Sequence, residues 1–112
     1  FCGFVDKVDV AHVGPLFENH KVFPKRINTE FVRVVNRNCL KMRVWERGNG
    51  ETLSCGTGAC AAVAAAVLNG HCPLNENITV KVRGGELVVS YTGDTVYLTG
   101  PAELSFTGLA EI

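Results

Sequence analysis

At 112 residues the chain is sized for one compact domain with its own core and is too short for two ordinary ones. With 46% apolar and 20% charged residues it reads as a globular protein, neither disordered nor coiled coil. Eleven basic residues balance eleven acidic ones, so no net field draws in nucleic acid or an anionic membrane, and the longest apolar run, Ala59 to Leu68, is too short to span a bilayer.

The chain opens without an initiator Met, in FCGFV, which reads as a strand. No signal-peptide pattern is visible, and the abrupt start at Phe1 suggests a fragment or processed product. From Asp9 to His20, Val10, Val13, Leu16 and Phe17 recur at helical spacing, and Gly14-Pro15 is expected to interrupt the helix. Pro24 ends that region. Glu30 to Asn36 and Leu40 to Arg47 read as two strands around a turn at Arg37-Asn38. In the second, Leu40, Met42 and Val44 share one face, and Lys41, Arg43 and Trp45 the other.

Gly56 to Asn69 is rich in alanine and valine and predicts a helix, with Gly70 as its stop. Its apolar residues run almost all round, so it is expected to be buried. After Pro73 the period returns to two: ITVKV (Ile78 to Val82) and ELVVS (Glu86 to Ser90) flank Gly84-Gly85, a hairpin signal. Gly93-Asp94 turns the chain into TVYLT, and a last strand is expected near Glu103 to Phe106. The fold class that follows is α+β, a mostly antiparallel, curved, barrel-like sheet wrapped around one central buried helix.

Five cysteines, Cys2, Cys39, Cys55, Cys60 and Cys72, are odd in number and irregular in spacing. They suggest reduced thiols in a cytoplasmic protein rather than a disulfide framework, and no spacing suits a metal. Four of them read as small buried hydrophobes. Cys55 differs, because it stands just before a glycine-rich helix start, Gly56-Thr57-Gly58. The first N–H groups of a helix lack intrahelical partners and carry partial positive charge, so they stabilise a thiolate and can hold a carboxylate. The two glycines are expected to let a small anion reach the backbone, and Thr57 adds a hydroxyl.

Gly56-x-Gly58-x-x-Ala61 also matches a dinucleotide-binding fingerprint, but neither the acidic residue nor the parallel unit that would support it is expected here. Glu46 continues the face of Leu40, Met42 and Val44 and should point inward, where a carboxylate is costly unless paired and burial favours its protonated form. Arg47 suits either a bidentate hold on a substrate carboxylate or a solvated position, and Glu51 and Thr52 stand where they could cap the helix or brace the loop, capping being the expected role.

ERGNGETLSCGTGACAA resembles the signature around the C-terminal catalytic cysteine of the diaminopimelate epimerase family. The similarity extends to FVDKVDV, to GPLFENHKVFPKRIN, to the Gly84-Gly85 hairpin and to GPAELSFTG, essentially the whole chain. It implies that residues 1–112 form a C-terminal lobe, with the N-terminal lobe outside this chain. It further implies a cofactor-independent, two-cysteine interconversion of LL- and meso-diaminopimelate on the lysine pathway, in a cleft between two similar lobes.

Carried over by position, Cys55 is one of the two thiols and Glu46 the carboxylate that assists proton handling and contacts the substrate amine. Asn28 and Arg47 hold the distal carboxylate, and Gly56 and Thr57 are donors to the reacting carboxylate. Ser54 departs from the small residue usual beside the cysteine. The implied partners are the small-molecule substrate and the other lobe, a homodimer being compatible; an isolated lobe should be inactive, since inversion needs an acid and a base on opposite faces. A related racemase of the same fold, or a non-catalytic anion-binding domain, would share much of this pattern.

Overall fold

The computed structural model describes residues 1–112. Helix α1 (Val10–Glu18) is followed by strands β1 (Thr29–Asn36), β2 (Cys39–Glu46) and β3 (Gly50–Thr52), helix α2 (Gly56–Leu68), and strands β4 (Ile78–Val82), β5 (Gly85–Tyr91) and β6 (Val96–Thr99). They form one sheet in the order β1-β2-β4-β5-β6, with β3 alongside the far half of β2. The sheet is open, with β1 and β6 at its edges. Every pairing is antiparallel except β2 with β4, whose Cys39, Leu40 and Lys41 lie opposite Thr79, Val80 and Lys81.

Alternation along the strands decides what the sheet buries. Leu40, Met42 and Val44 are buried, while Lys41, Arg43 and Trp45 between them are only partly so, as the period-two pattern predicts. Helix α2 packs on the first of these faces, and Ala59, Ala62, Val63 and Ala66 join Val32, Leu40, Met42, Ile78, Val80 and Val89 in the core. Its small residues let the backbone of β5 and β1 approach closely. Burial is one-sided, however. Ala61 is exposed and Leu68 is 76% exposed, because the open sheet does not reach round that flank. No helix is long and apolar enough to cross a membrane.

Four local expectations are corrected. Helix α1 runs unbroken through Gly14-Pro15: Pro15 forgoes one backbone donor, while Asp9 caps the start by accepting from the His12 N–H and Asn19 closes the end on the Pro15 carbonyl. The opening FCGFV is not a strand. Its only ladder bond is Cys2 N–H to the Val32 carbonyl (2.8 Å), after which Val5–Lys7 coil into a 3-10 turn. The Arg43 guanidinium holds that turn, donating to the carbonyls of Val5 (3.2 Å), Asp6 (3.4 Å) and Val8 (2.8 Å). Glu103 to Phe106 forms no strand either; Pro101, without an N–H, leads the chain off the sheet after β6. Finally, β2, α2 and β4 do make a parallel unit. The acidic residue of the dinucleotide pattern is still missing, because Arg83 follows β4.

Candidate active site

The antiparallel register of β1 and β2 places three polar side chains at one end of an otherwise apolar face. Glu30 lies opposite Val44, and Val32 opposite Met42. Asn28, two residues before Glu30, and Glu46, two after Val44, therefore share that face with Glu30. Beside it, β3 brings Thr52 opposite Val44 and folds the chain back toward Cys55.

Cys55 is the N-cap residue of α2, with extended backbone and no side-chain cap bond. It is 8% exposed, and its Sγ lies 3.5 Å from the Thr57 hydroxyl. The first helical hydrogen bond joins the Ala59 N–H to the Cys55 carbonyl, and the N–H groups of Gly56, Thr57 and Gly58 donate to no protein acceptor. Three unpaired donors and the positive end of the helix thus converge beside a thiol. Burial raises the pKa of the Cys60 thiol, with repulsion from Cys55 adding to it, and burial likewise raises that of Cys72. Both suit inert roles.

The space beside the two glycines is taken up by side chains of this chain. A Cβ on Gly56 would come 3.0 Å from Leu98 Cδ2, and one on Gly58 would come 2.6 Å from Glu30 Oε1. Side chains of this chain already occupy those directions, so the glycines admit β6 and β1 rather than a ligand from that side.

Glu46 is half-buried and enters no ion pair; it accepts a hydrogen bond from the Thr52 hydroxyl. The same hydroxyl lies 3.4 Å from the Ser54 carbonyl, next to Cys55. Thr52 is therefore a bridge between Glu46 and the cysteine loop, not a helix cap. Glu51 does not cap either: it takes a two-pronged contact from Arg43 (2.7 and 3.0 Å) and a third from Arg83 (3.1 Å). Those Arg43 hydrogen bonds, against the opposing effect of burial, hold the Glu51 carboxyl below the usual range.

Asn28 and Arg47 are brought together, since Asn28 Oδ1 accepts the Arg47 backbone N–H at 2.8 Å. This leaves the Asn28 amide NH2 free to donate. The Arg47 side chain is exposed and reaches the Lys25 carbonyl at 3.1 Å. Its loop is held from below by Glu18, a buried residue of α1 that accepts the Gly48 N–H at 2.8 Å and sits 3.9 Å from Arg26.

Glu18 and Glu30 were not identified from the sequence as members of this constellation, whereas Thr52 takes the loop-bracing role that stood second to capping. For Glu30 a signal existed, since Glu30-x-Val32-x-Val34 sets a carboxylate in register with a core face. Burial pushes the Glu30 carboxyl up; its own backbone N–H opposes this, and the charge of Glu46 adds to it.

A family model described as diaminopimelate epimerase matches residues 2–105. Curated relatives of that name include a protein of Nostoc punctiforme, 53% identical over 106 residues that make up 93% of this chain and 37% of the relative. A protein of Agathobacter rectalis is 51% identical over 97% of this chain and 39% of its own length. One of Methanococcus maripaludis is 47% identical over 96% and 39% respectively. The chain thus spans 37–39% of the length of these relatives.

Proposed function

The chain belongs to the diaminopimelate epimerase family, and from that premise we propose that it is the C-terminal lobe of an enzyme interconverting LL- and meso-diaminopimelate. In this reading Cys55 is one of two thiols that act on opposite faces of the α-carbon. One thiolate takes the α-proton, the electron pair stays on carbon next to the carboxylate, and the second thiol returns a proton from the other side. The partner thiol belongs to a second lobe, so the 112 residues alone do not epimerise.

The observation that carries this reading is Cys55 at the N-cap of α2 beside three unpaired N–H groups. Those groups can hold the reacting carboxylate, placing sulfur against the adjacent carbon and stabilising negative charge as the C–H bond breaks. In this reading Glu46, which accepts from Thr52, contacts the α-ammonium, and Asn28 and Arg47 hold the distal carboxylate.

The test is deuterium wash-in at the α-carbon of diaminopimelate by the full-length protein in heavy water. Cys55→Ala should abolish it. Undiminished exchange by that variant would sink the assignment.

A further inference from the structure

Glycine at position 58 is not explained by backbone conformation, since Gly58 is not among the glycines with positive φ. A side chain there would normally favour the helix. What calls for glycine is Glu30, whose Oε1, Cδ and Cγ would stand 2.6, 3.1 and 3.1 Å from a Cβ at this site. Oε1, at the tip, is the one atom nearer than 3.0 Å, but Cγ is as close as Cδ, so the side chain faces this position along more than its tip. Glu30 is anchored on β1 opposite Val44, and Gly58 is three residues beyond Cys55 in the first turn of α2. The contact therefore sets how near the thiol and its neighbouring N–H groups stand to the face that carries Glu46 and Asn28.

We propose that Glu30 is a positioning residue for Cys55, its side chain and Gly58 forming a matched large–small pair that fixes the start of α2 against the sheet. The role lies in the shape of the side chain, so a glutamine serves in its place. It rests on the epimerase reading above for its effect on rate, though not for the contact itself. A displacement of about 1 Å at a reacting group costs up to ~100-fold in rate, so a change of tenfold or more is the scale expected here.

The experiment is a double-mutant cycle in the full-length protein, with Glu30→Ala, Gly58→Ala, both together, and Glu30→Gln. Two readouts are taken: thermal stability, and kcat and KM for α-deuterium exchange into diaminopimelate. Gly58→Ala alone should lower Tm by about 3–8 °C through overlap. In the Glu30→Ala background the same change should leave Tm unchanged or raised, because the overlapping atoms are gone and alanine favours the helix. Glu30→Ala should lower kcat about tenfold with KM within about twofold, and Glu30→Gln should restore kcat to within about threefold of wild type.

Additive Tm effects would overturn the contact. Coupled Tm effects with an unchanged kcat in Glu30→Ala would overturn the positioning role, and so would a Glu30→Gln variant as slow as Glu30→Ala. Wild-type protein that exchanges no α-proton would overturn the epimerase reading and the positioning role with it, and it is recognised before any variant is compared.

Discussion

The Thr52 hydroxyl donates to the Glu46 carboxylate, tying the end of β2 to the loop that delivers Cys55. Both residues are partly buried, so losing the donor leaves Glu46 short of a partner and free to turn. Thr52→Val keeps the shape and removes the hydroxyl. Under the proposed function it should lower kcat for α-proton exchange about tenfold, whereas Thr52→Ser should stay within about threefold of wild type. Equal rates for Thr52→Val and wild type would show that Glu46 needs no such support.

Arg47 and Asn28 form one unit through the 2.8 Å bond from the Arg47 N–H to Asn28 Oδ1. That bond uses the Asn28 oxygen on the backbone and leaves its amide donor unused, while the exposed Arg47 guanidinium reaches the Lys25 carbonyl. A carboxylate at the far end of the substrate would meet donors of fixed orientation. Arg47→Lys keeps the charge but loses the planar fork, so KM for diaminopimelate should rise about tenfold with kcat nearly unchanged. A fall in kcat at constant KM would instead place Arg47 in the chemistry.

How much of this was legible beforehand depends on whether the information was local. The β1–β2 and β4–β5 hairpins could be read because alternation and turn residues stand next to each other in the chain. Helix α2 and its cysteine start were legible for the same reason. Strand β3 was not: its three residues, Gly50–Thr52, begin at a glycine in left-handed conformation two residues after another, Gly48, and look like loop. The Glu30–Gly58 contact and the parallel β2–β4 pairing depend on where a helix lands after a crossover, which no short window contains. Arg43 shows the opposite case. A residue with no sequence motif holds the 3-10 turn after the opening residues by donating to three carbonyls.

Glu51 and Glu30 should give opposite pH signatures. Hydrogen bonds from Arg43 outweigh burial and lower the folded pKa of Glu51 below its ordinary 4.5. Its stabilising contribution is therefore present above that value and lost as pH falls through the depressed pKa. Burial raises the folded pKa of Glu30 above 4.5, with Glu46 adding to the shift. Ionised Glu30 therefore weakens the fold as pH rises through the raised value. Glu51→Gln should lower Tm at pH 7 and flatten the acid-side decline. Glu30→Gln should raise Tm at pH 7, with the gain closing below the ordinary 4.5. Calorimetry across pH 3 to 7 reads both (a range chosen to bracket the usual carboxylate titration). A gain for Glu30→Gln that persists unchanged at the acid end would contradict its assignment as a buried, strained charge.

Gly14→Ala sets helix propensity against packing. In an unencumbered helix the change would add up to about 1 kcal/mol of stability. Here the new methyl would lie 2.4 Å from two ring carbons of Trp45 and 2.8 Å from a third. Gly50 also lies close to the ring, at its Cη2–Cζ3 edge, and the buried Nε1 has no hydrogen-bond partner. The overlap falls on the rigid body of the ring, not on a flexible tip. Overpacking of this kind costs about 1–3 kcal/mol and more where neither partner yields, so packing should win. Urea unfolding should show a lower midpoint with an unchanged slope, amounting to about 2 kcal/mol net. Because α1 also carries Glu18, which holds Gly48 beside Arg47, the same variant should raise KM for diaminopimelate while leaving kcat near wild type. A raised midpoint would mean that α1 can lift off Trp45 without cost, and that the Glu18 support does not depend on this packing.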